Sequence, residues 1–120
     1  MPGAVDIDSV KLRRTVLEVL RLLAAKDYQG LFSLSRGVRL SAADIARAIH
    51  EYDRTIVDLP DAEYDRIDVI AVSDSSPQRW SVDVGLWTAE EGSSDLTLSL
   101  SLEDSPGEIY KVEIDDLHVL

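Results

Sequence analysis

The first 54 residues carry apolar side chains at the three-to-four-residue spacing of amphipathic helices. The pattern predicts a helix within residues 8–26, a short helix over Tyr28–Leu34, and a third helix after Ser41. The third is marked most clearly, because Ser41 can cap its start and Asp44 follows three positions later, in the arrangement of a capping box. Asp8 or Ser9 can cap the first helix, and Gly37 can end the second in a left-handed conformation.

After Asp53 the hydrophobic period changes from helical spacing to strict alternation. Five segments are predicted as strands: 55–59, 66–72, 80–87, 96–102 and 110–119. Alternation is clearest in the third and fourth, whereas 55–59 is short and ended by Pro60, and Val69–Val72 is apolar on both faces. In the last segment the apolar row continues to the C-terminal end only if a β-bulge falls at Asp115-Asp116. Helices followed by strands predict an α+β fold, with three N-terminal helices on one face of a curved, four- to five-stranded antiparallel sheet.

The size and composition fit one domain, with residues 1–54 as a helical layer and residues 55–120 as the sheet. Apolar residues make up 45% of the chain and charged residues 29%, as in ordinary globular proteins. The absence of cysteine excludes disulfides, thiolate catalysis and cysteine zinc sites. No secretory signal and no long apolar run is visible, so we expect a cytoplasmic protein.

Charge separates the two layers. The chain has 23 acidic and 12 basic residues, and residues 55–120 contain sixteen of the acidic and only three of the basic ones. This balance argues against nucleic-acid and membrane partners. It leaves two interpretations of the sheet half, a solubilising surface or a docking surface for a basic protein.

Candidate catalytic and metal-binding groups are few. The only histidines, His50 and His118, lack the helical partner spacing of metal sites, and the Glu113–Asp115–His118 pattern matches no known ligand loop. No nucleophile elbow and no glycine-rich phosphate loop occurs. We therefore assign no catalytic residue, metal or cofactor, although acid–base chemistry by Asp83 or Asp115 with His50 stays open.

The aromatic residue that suggests recognition is Trp87. Alternation places it on the sheet face opposite Trp80, among serine and aspartate positions, and an acidic loop follows it directly. A tryptophan in that setting either packs under the loop or anchors a contact with a partner. The candidate docking residues are Trp87, Glu90, Glu91 and Asp95, with Asp115 and Asp116 as secondary candidates.

Two resemblances add to this interpretation. The segments GVRLSAADIARAIHEYDRTIV, RWSVDVGLWTAEEGSSDLTLSLSL and DDLHVL resemble an uncharacterised bacterial domain family of unknown function. The segment AAKDYQGLFSL and the ending DLHVL resemble the cystatin-like α+β roll of nuclear-transport-factor-like and polyketide-cyclase-like proteins. That likeness implies a sheet curled around a long helix, often with a conical pocket, but analogy of fold does not establish function.

Two functional hypotheses follow. The first is a non-enzymatic binding module that docks a basic protein, for example an immunity protein that neutralises a bacterial toxin. The alternative is a small-molecule-binding or catalytic roll with a pocket between the first helix and the sheet. That pocket would lie near Leu20, Tyr52, Val84 and Leu98, and we expect these large apolar side chains to fill most of it. A homodimer stays open as the oligomeric state.

Overall fold

A computed structural model describes residues 6–35 and 41–119. It confirms the predicted α+β arrangement, with the helices first and a curved, open, five-stranded antiparallel sheet after them. The helices are α1 (Ser9–Ala24), α2 (Tyr28–Ser35) and α3 (Ala42–Tyr52), and a 3-10 helix spans Asp61–Arg66. The strands are β1 (Ile56–Val57), β2 (Asp68–Ala71), β3 (Arg79–Thr88), β4 (Gly92–Glu103) and β5 (Lys111–Val119).

The helix starts follow from their capping residues. Of the two candidates for α1, Asp8 is the cap, since its carboxylate accepts hydrogen bonds from the amides of Val10 (2.9 Å) and Lys11 (3.1 Å). Ser41 caps α3 through the Asp44 amide at 3.1 Å, as predicted. The predicted stop at Gly37 lies outside the described residues.

The sheet has the order β1-β3-β4-β5, and β2 pairs with the same outer edge of β3 that β1 uses further along. The predicted strand at 66–72 is shorter than expected because a 3-10 helix takes its first residue. This turn is held by Tyr64, which is buried, donates a hydrogen bond to Asp58 (2.5 Å) and lies under the Arg13 guanidinium. Burial raises the pKa of Tyr64 well above its ordinary value, so the phenol stays protonated as the donor.

The predicted bulge in the last strand is confirmed. Ser99 pairs with Asp116 and Leu100 pairs with Ile114, so Asp115 is the extra residue of β5. A second irregularity lies between the pairs Gly85–Thr97 and Trp87–Ser93, where β4 has the longer path.

Alternation along β3 and β4 places one set of side chains in the core with the apolar stripes of the helices. Alternation along β4 predicts that Leu98 and Leu100 are buried and that Thr97, Ser99 and Ser101 are not. Leu98 and Leu100 are each 1% exposed, and Ser99 and Ser101 are partly exposed, as predicted. The prediction for Thr97 is wrong, since this residue is only 9% exposed. It faces away from the core, but β4 is an inner strand and Thr97 lies directly opposite His118, so neighbouring strands shield it.

Candidate functional site

Trp87 lies at the turn that joins β3 to β4 and packs against the edge of the core. Gly92, at the other end of this turn, has a φ of +73°, and a Cβ there would come within 3.3 Å of the Trp87 ring. Glycine is favoured at this position for two reasons: it adopts the left-handed backbone conformation without strain, and it has no Cβ to crowd the indole. Trp87 is half-buried at this position, so part of its ring is covered by the protein itself.

Glu90, in the same turn, is bound to the chain segment before β1. Its carboxylate accepts hydrogen bonds from the backbone amide (2.8 Å) and the hydroxyl (2.9 Å) of Thr55. These bonds, the backbone one first, lower the pKa of Glu90 below its ordinary value. Glu90 therefore links the β3–β4 turn to Thr55, which follows the end of α3.

Glu91 is also engaged within the protein. Its carboxylate lies 3.7 Å from Nε of Arg54, and its amide donates to the Thr88 hydroxyl at 3.0 Å. Two of the carboxylates predicted for docking thus hold the turn in place, a role that sequence reasoning missed because Thr55 and Arg54 are distant in the chain.

Asp95 has an exposed side chain beside the irregularity of β4. Ser94 stabilises this segment by donating to the Leu86 carbonyl (2.7 Å) and accepting from the Leu96 amide (3.2 Å). The Asp95 amide donates to the Tyr52 hydroxyl at 3.3 Å, which connects the segment to α3.

The bulge places the secondary candidates on the outer strand, away from the β3–β4 turn. Asp115 accepts a hydrogen bond from the Ser101 hydroxyl at 2.6 Å. Asp116 lies opposite Ser99, accepts from the Leu117 amide at 2.9 Å, and is 3.0 Å from Nδ1 of His118. The six predicted residues therefore form two groups, one at the turn and one at the bulge.

We use the name open face for the sheet face that points away from the core, formed by Asp68, Ile70, Ser81, Asp83, Ser99 and Asp116. Asp68 of β2 lies directly opposite Asp83 of β3, and both residues are exposed. Ser99 donates a hydrogen bond to Asp83 at 2.8 Å. Like charges at directly opposite positions are unfavourable in a sheet, so the two carboxylates repel each other. Alternation indicates the face of Asp83, but only the pairing of β2 reveals its neighbour.

Two of the groups considered for catalysis, His50 and Asp83, lie on opposite sides of the sheet. His50 is exposed on α3, whereas Asp83 lies on the open face, and the helices cover the other face. Among residues 6–35 and 41–119, no group of three or more His, Asp or Glu side chains could hold a metal ion. A cleft of about 420 Å³ at the end of α3 is lined by Lys26, Tyr28, His50, Arg54 and Glu90, but the last two already bind within the protein.

Comparison with known proteins identifies the family. Residues 20–120 match a family described as a domain of unknown function, DUF7668. The chain belongs to the DUF7668 family. No curated protein and no solved structure matches it. The predicted membership of an uncharacterised family is confirmed, whereas the resemblance to the nuclear-transport-factor-like roll stays a prediction.

The DUF7668 match begins inside α1, yet earlier residues are bound to the matched part. Thr15 accepts a hydrogen bond from the Tyr110 amide at 3.0 Å, and the Asp8 amide donates to the Tyr110 hydroxyl at 2.9 Å. Leu12 and Val16 belong to the same core.

In the part of the chain that the structure describes, no helix has the length and apolarity needed to cross a membrane.

Proposed function

We propose that this DUF7668 domain is a non-enzymatic docking module that binds a basic protein through the open face of its sheet. The observation that carries the proposal is the exposed Asp68–Asp83 pair on the open face of a strongly acidic half. A lysine or arginine of a partner placed between these carboxylates would relieve their repulsion and form charge-assisted hydrogen bonds.

The charge balance of the sheet half supports this partner. Its three basic side chains each have an acidic neighbour in the same half: Arg66 with Glu63 (3.7 Å), Arg79 with Glu113 (3.0 Å) and Lys111 with Glu103 (3.6 Å). Since residues 55–120 contain sixteen acidic residues, most of the acidic charge has no compensation within this half. A field of one sign speeds the encounter with an oppositely charged protein.

Among residues 6–35 and 41–119, the helices pack on the core face of the sheet and leave the open face uncovered. The alternative pocket would lie near Leu20, Tyr52, Val84 and Leu98. Leu20, Val84 and Leu98 are each at most 1% exposed and Tyr52 is half-buried, which favours a filled interior over a ligand pocket. We assign the central contacts to Asp68 and Asp83, with Asp116 on the same face. Trp87 and Asp95 supply the rim at the turn, and Glu90 and Glu91 contribute to the field while holding the turn.

The test is association kinetics with a basic partner captured from the native host and purified. We expect the double variant Asp68→Lys/Asp83→Lys to lower the association rate about tenfold at low salt and to flatten its salt dependence. The matched control is Arg14→Glu, which reverses an exposed charge on α1 and should leave the rate within about twofold. An acidic partner, or an unchanged rate for the double variant, would contradict the proposal.

An immunity protein that neutralises a secreted bacterial toxin is the concrete form of this function that we propose to test first, with the cytoplasm as the expected compartment. A captured toxin should lose its activity when this protein is added in stoichiometric amount. It should keep its activity when the double variant is added instead. A captured basic protein without toxic activity would exclude the immunity role and leave docking itself in place.

A further inference from the structure

The strand β2 is an exposed edge of the sheet with apolar side chains. Ile70 is 68% exposed and Val72, just beyond the strand, is 39% exposed, while Val69 packs against the core. Ile70 lies on the open face, two residues from Asp68. A free edge with exposed β-branched residues is a template on which another strand can pair.

The register shows which backbone groups of β2 are free for such pairing. The Val72 amide donates to the Arg79 carbonyl at 2.9 Å, and alternation along an antiparallel ladder makes Ile70 and Asp68 the other residues bonded to β3. The amides and carbonyls of Val69 and Ala71 therefore point outward. Within residues 6–35 and 41–119, no backbone hydrogen bond outside the helices and strands uses either residue.

The opposite edge of the sheet differs. The strand β5 is interrupted by the bulge at Asp115 and carries charged residues on both sides of it, which are devices that protect an edge from pairing. In β2 the only charged residue is Asp68, and no bulge interrupts its pairing with β3. Of these two edge strands, β2 is therefore the one that stays available for pairing, and it lies beside the carboxylate pair.

We infer that an extended segment of the basic partner adds to β2 as an antiparallel strand, with a lysine or arginine opposite Asp68 and a β-branched residue opposite Ile70. This inference rests on the proposed function and specifies how the partner binds. Main-chain hydrogen bonds to Val69 and Ala71 supply affinity, while the Asp68–Asp83 pair and Ile70 select the side chains.

A second copy of the chain fits this edge less well than a basic segment. Two β2 strands paired about Ile70 would place Asp68 of each copy opposite Val72 of the other, which leaves the carboxylates without a cation. Each copy also carries a net charge of −11, so the two would repel.

The probe for the test is a short capped peptide in which one lysine and one valine, two positions apart, alternate with threonines. Amide chemical shifts of the ¹⁵N-labelled protein report where it binds. We expect the largest changes at Val69 and Ala71, and slowed hydrogen exchange of those two amides. Replacing the lysine of the peptide by glutamate should abolish the changes.

Two sets of variants separate strand addition from simple charge attraction. Ala71→Pro removes an outward amide, which an edge strand tolerates, and should weaken peptide binding about tenfold, whereas Ala71→Thr should not. Alternate residues of the peptide can be N-methylated in two sets. Methylation of the set whose amides bond to Val69 and Ala71 should abolish binding, and methylation of the other set should leave binding unchanged. The methylated peptides keep the test decisive even if Ala71→Pro does not fold.

Each result has a distinct meaning. If Asp68→Lys/Asp83→Lys abolishes binding but neither parity of methylation does, strand addition is wrong and the proposed docking function stands. If glutamate and lysine peptides bind equally well and salt has no effect, both proposals fail. If the peptide does not bind at all, or if the protein forms a dimer that Ala71→Pro dissociates, the basic segment is not the occupant of this edge.

Discussion

The two faces of the sheet are formed by the same strands but carry different side chains. On β3 and β4 the core face carries Val82, Val84, Leu98 and Leu100, all at most 1% exposed, and the residues between them form the open face. Burial of apolar area stabilises the first face, whereas serine hydroxyls, carboxylates and water satisfy the second. A single residue step along each strand therefore separates the side chains that stabilise the core from those that face solvent.

The largest expected effect is on the core face. Leu98→Ala should lower the free energy of unfolding by about 2–5 kcal/mol, because it removes buried methyl groups and leaves a cavity. Its neighbour on the open face is the control: Ser99→Ala should change the same quantity by less than about 1 kcal/mol, although it removes the bond to Asp83. Urea unfolding of both variants measures the difference, and similar losses at the two positions would refute the assigned register.

A smaller loss of stability is expected at Thr15, a buried polar residue of α1. Thr15 is fully buried, donates to the Lys11 carbonyl at 2.7 Å and accepts from the Tyr110 amide at 3.0 Å. Thr15→Val keeps the shape but leaves that amide without a partner, so we expect a loss of about 1–3 kcal/mol in thermal or urea unfolding. Thr15→Ser retains the hydroxyl and should lose less. If valine proves the more stable of the two, the hydrogen bond between Thr15 and the Tyr110 amide does not stabilise the fold.

The smallest effect is expected at the turn and depends on pH. The pKa of Glu90 is lowered in the folded protein by its bonds to Thr55, so its contribution to stability is present above the pKa of the unfolded chain. That contribution is lost as the pH falls through the folded pKa. In Glu90→Gln the free energy of unfolding should therefore fall less steeply as the pH is lowered into the acid range. Near neutral pH its dependence on pH should stay like that of the wild type.

The measurement for Glu90 is urea unfolding of the wild type and of Glu90→Gln at a series of pH values from neutral into the acid range. Asp95→Asn is the matched control, because it removes an exposed carboxylate from the same end of the sheet. A profile for Glu90→Gln that parallels the wild type would show that the bonds to Thr55 do not stabilise the turn.

Much of the fold could be predicted because it depends on local periodicity. The helical spacing before Asp53, the cap at Ser41 and the alternation around Leu98 are properties of neighbouring residues, and each is found in the structure. The bulge could also be predicted, since the apolar phase of β5 slips by one residue at Asp115.

The candidate site was predicted only in part, because its members come from distant segments. Nothing near Glu90 in the chain indicates Thr55, and nothing near Asp83 indicates Asp68. The shielding of Thr97 likewise depends on its place in an inner strand.

The core face of β3 and β4, the start of α3 and the acidity of the sheet half can be inferred from the chain alone, because they depend on side-chain period, capping chemistry and composition. Which carboxylates hold the turn, which lie side by side on the open face, and that β2 is left as an exposed edge become visible in the folded protein. Those outcomes depend on the register and order of strands, which are set by the packing of the whole core rather than by any local stretch of chain.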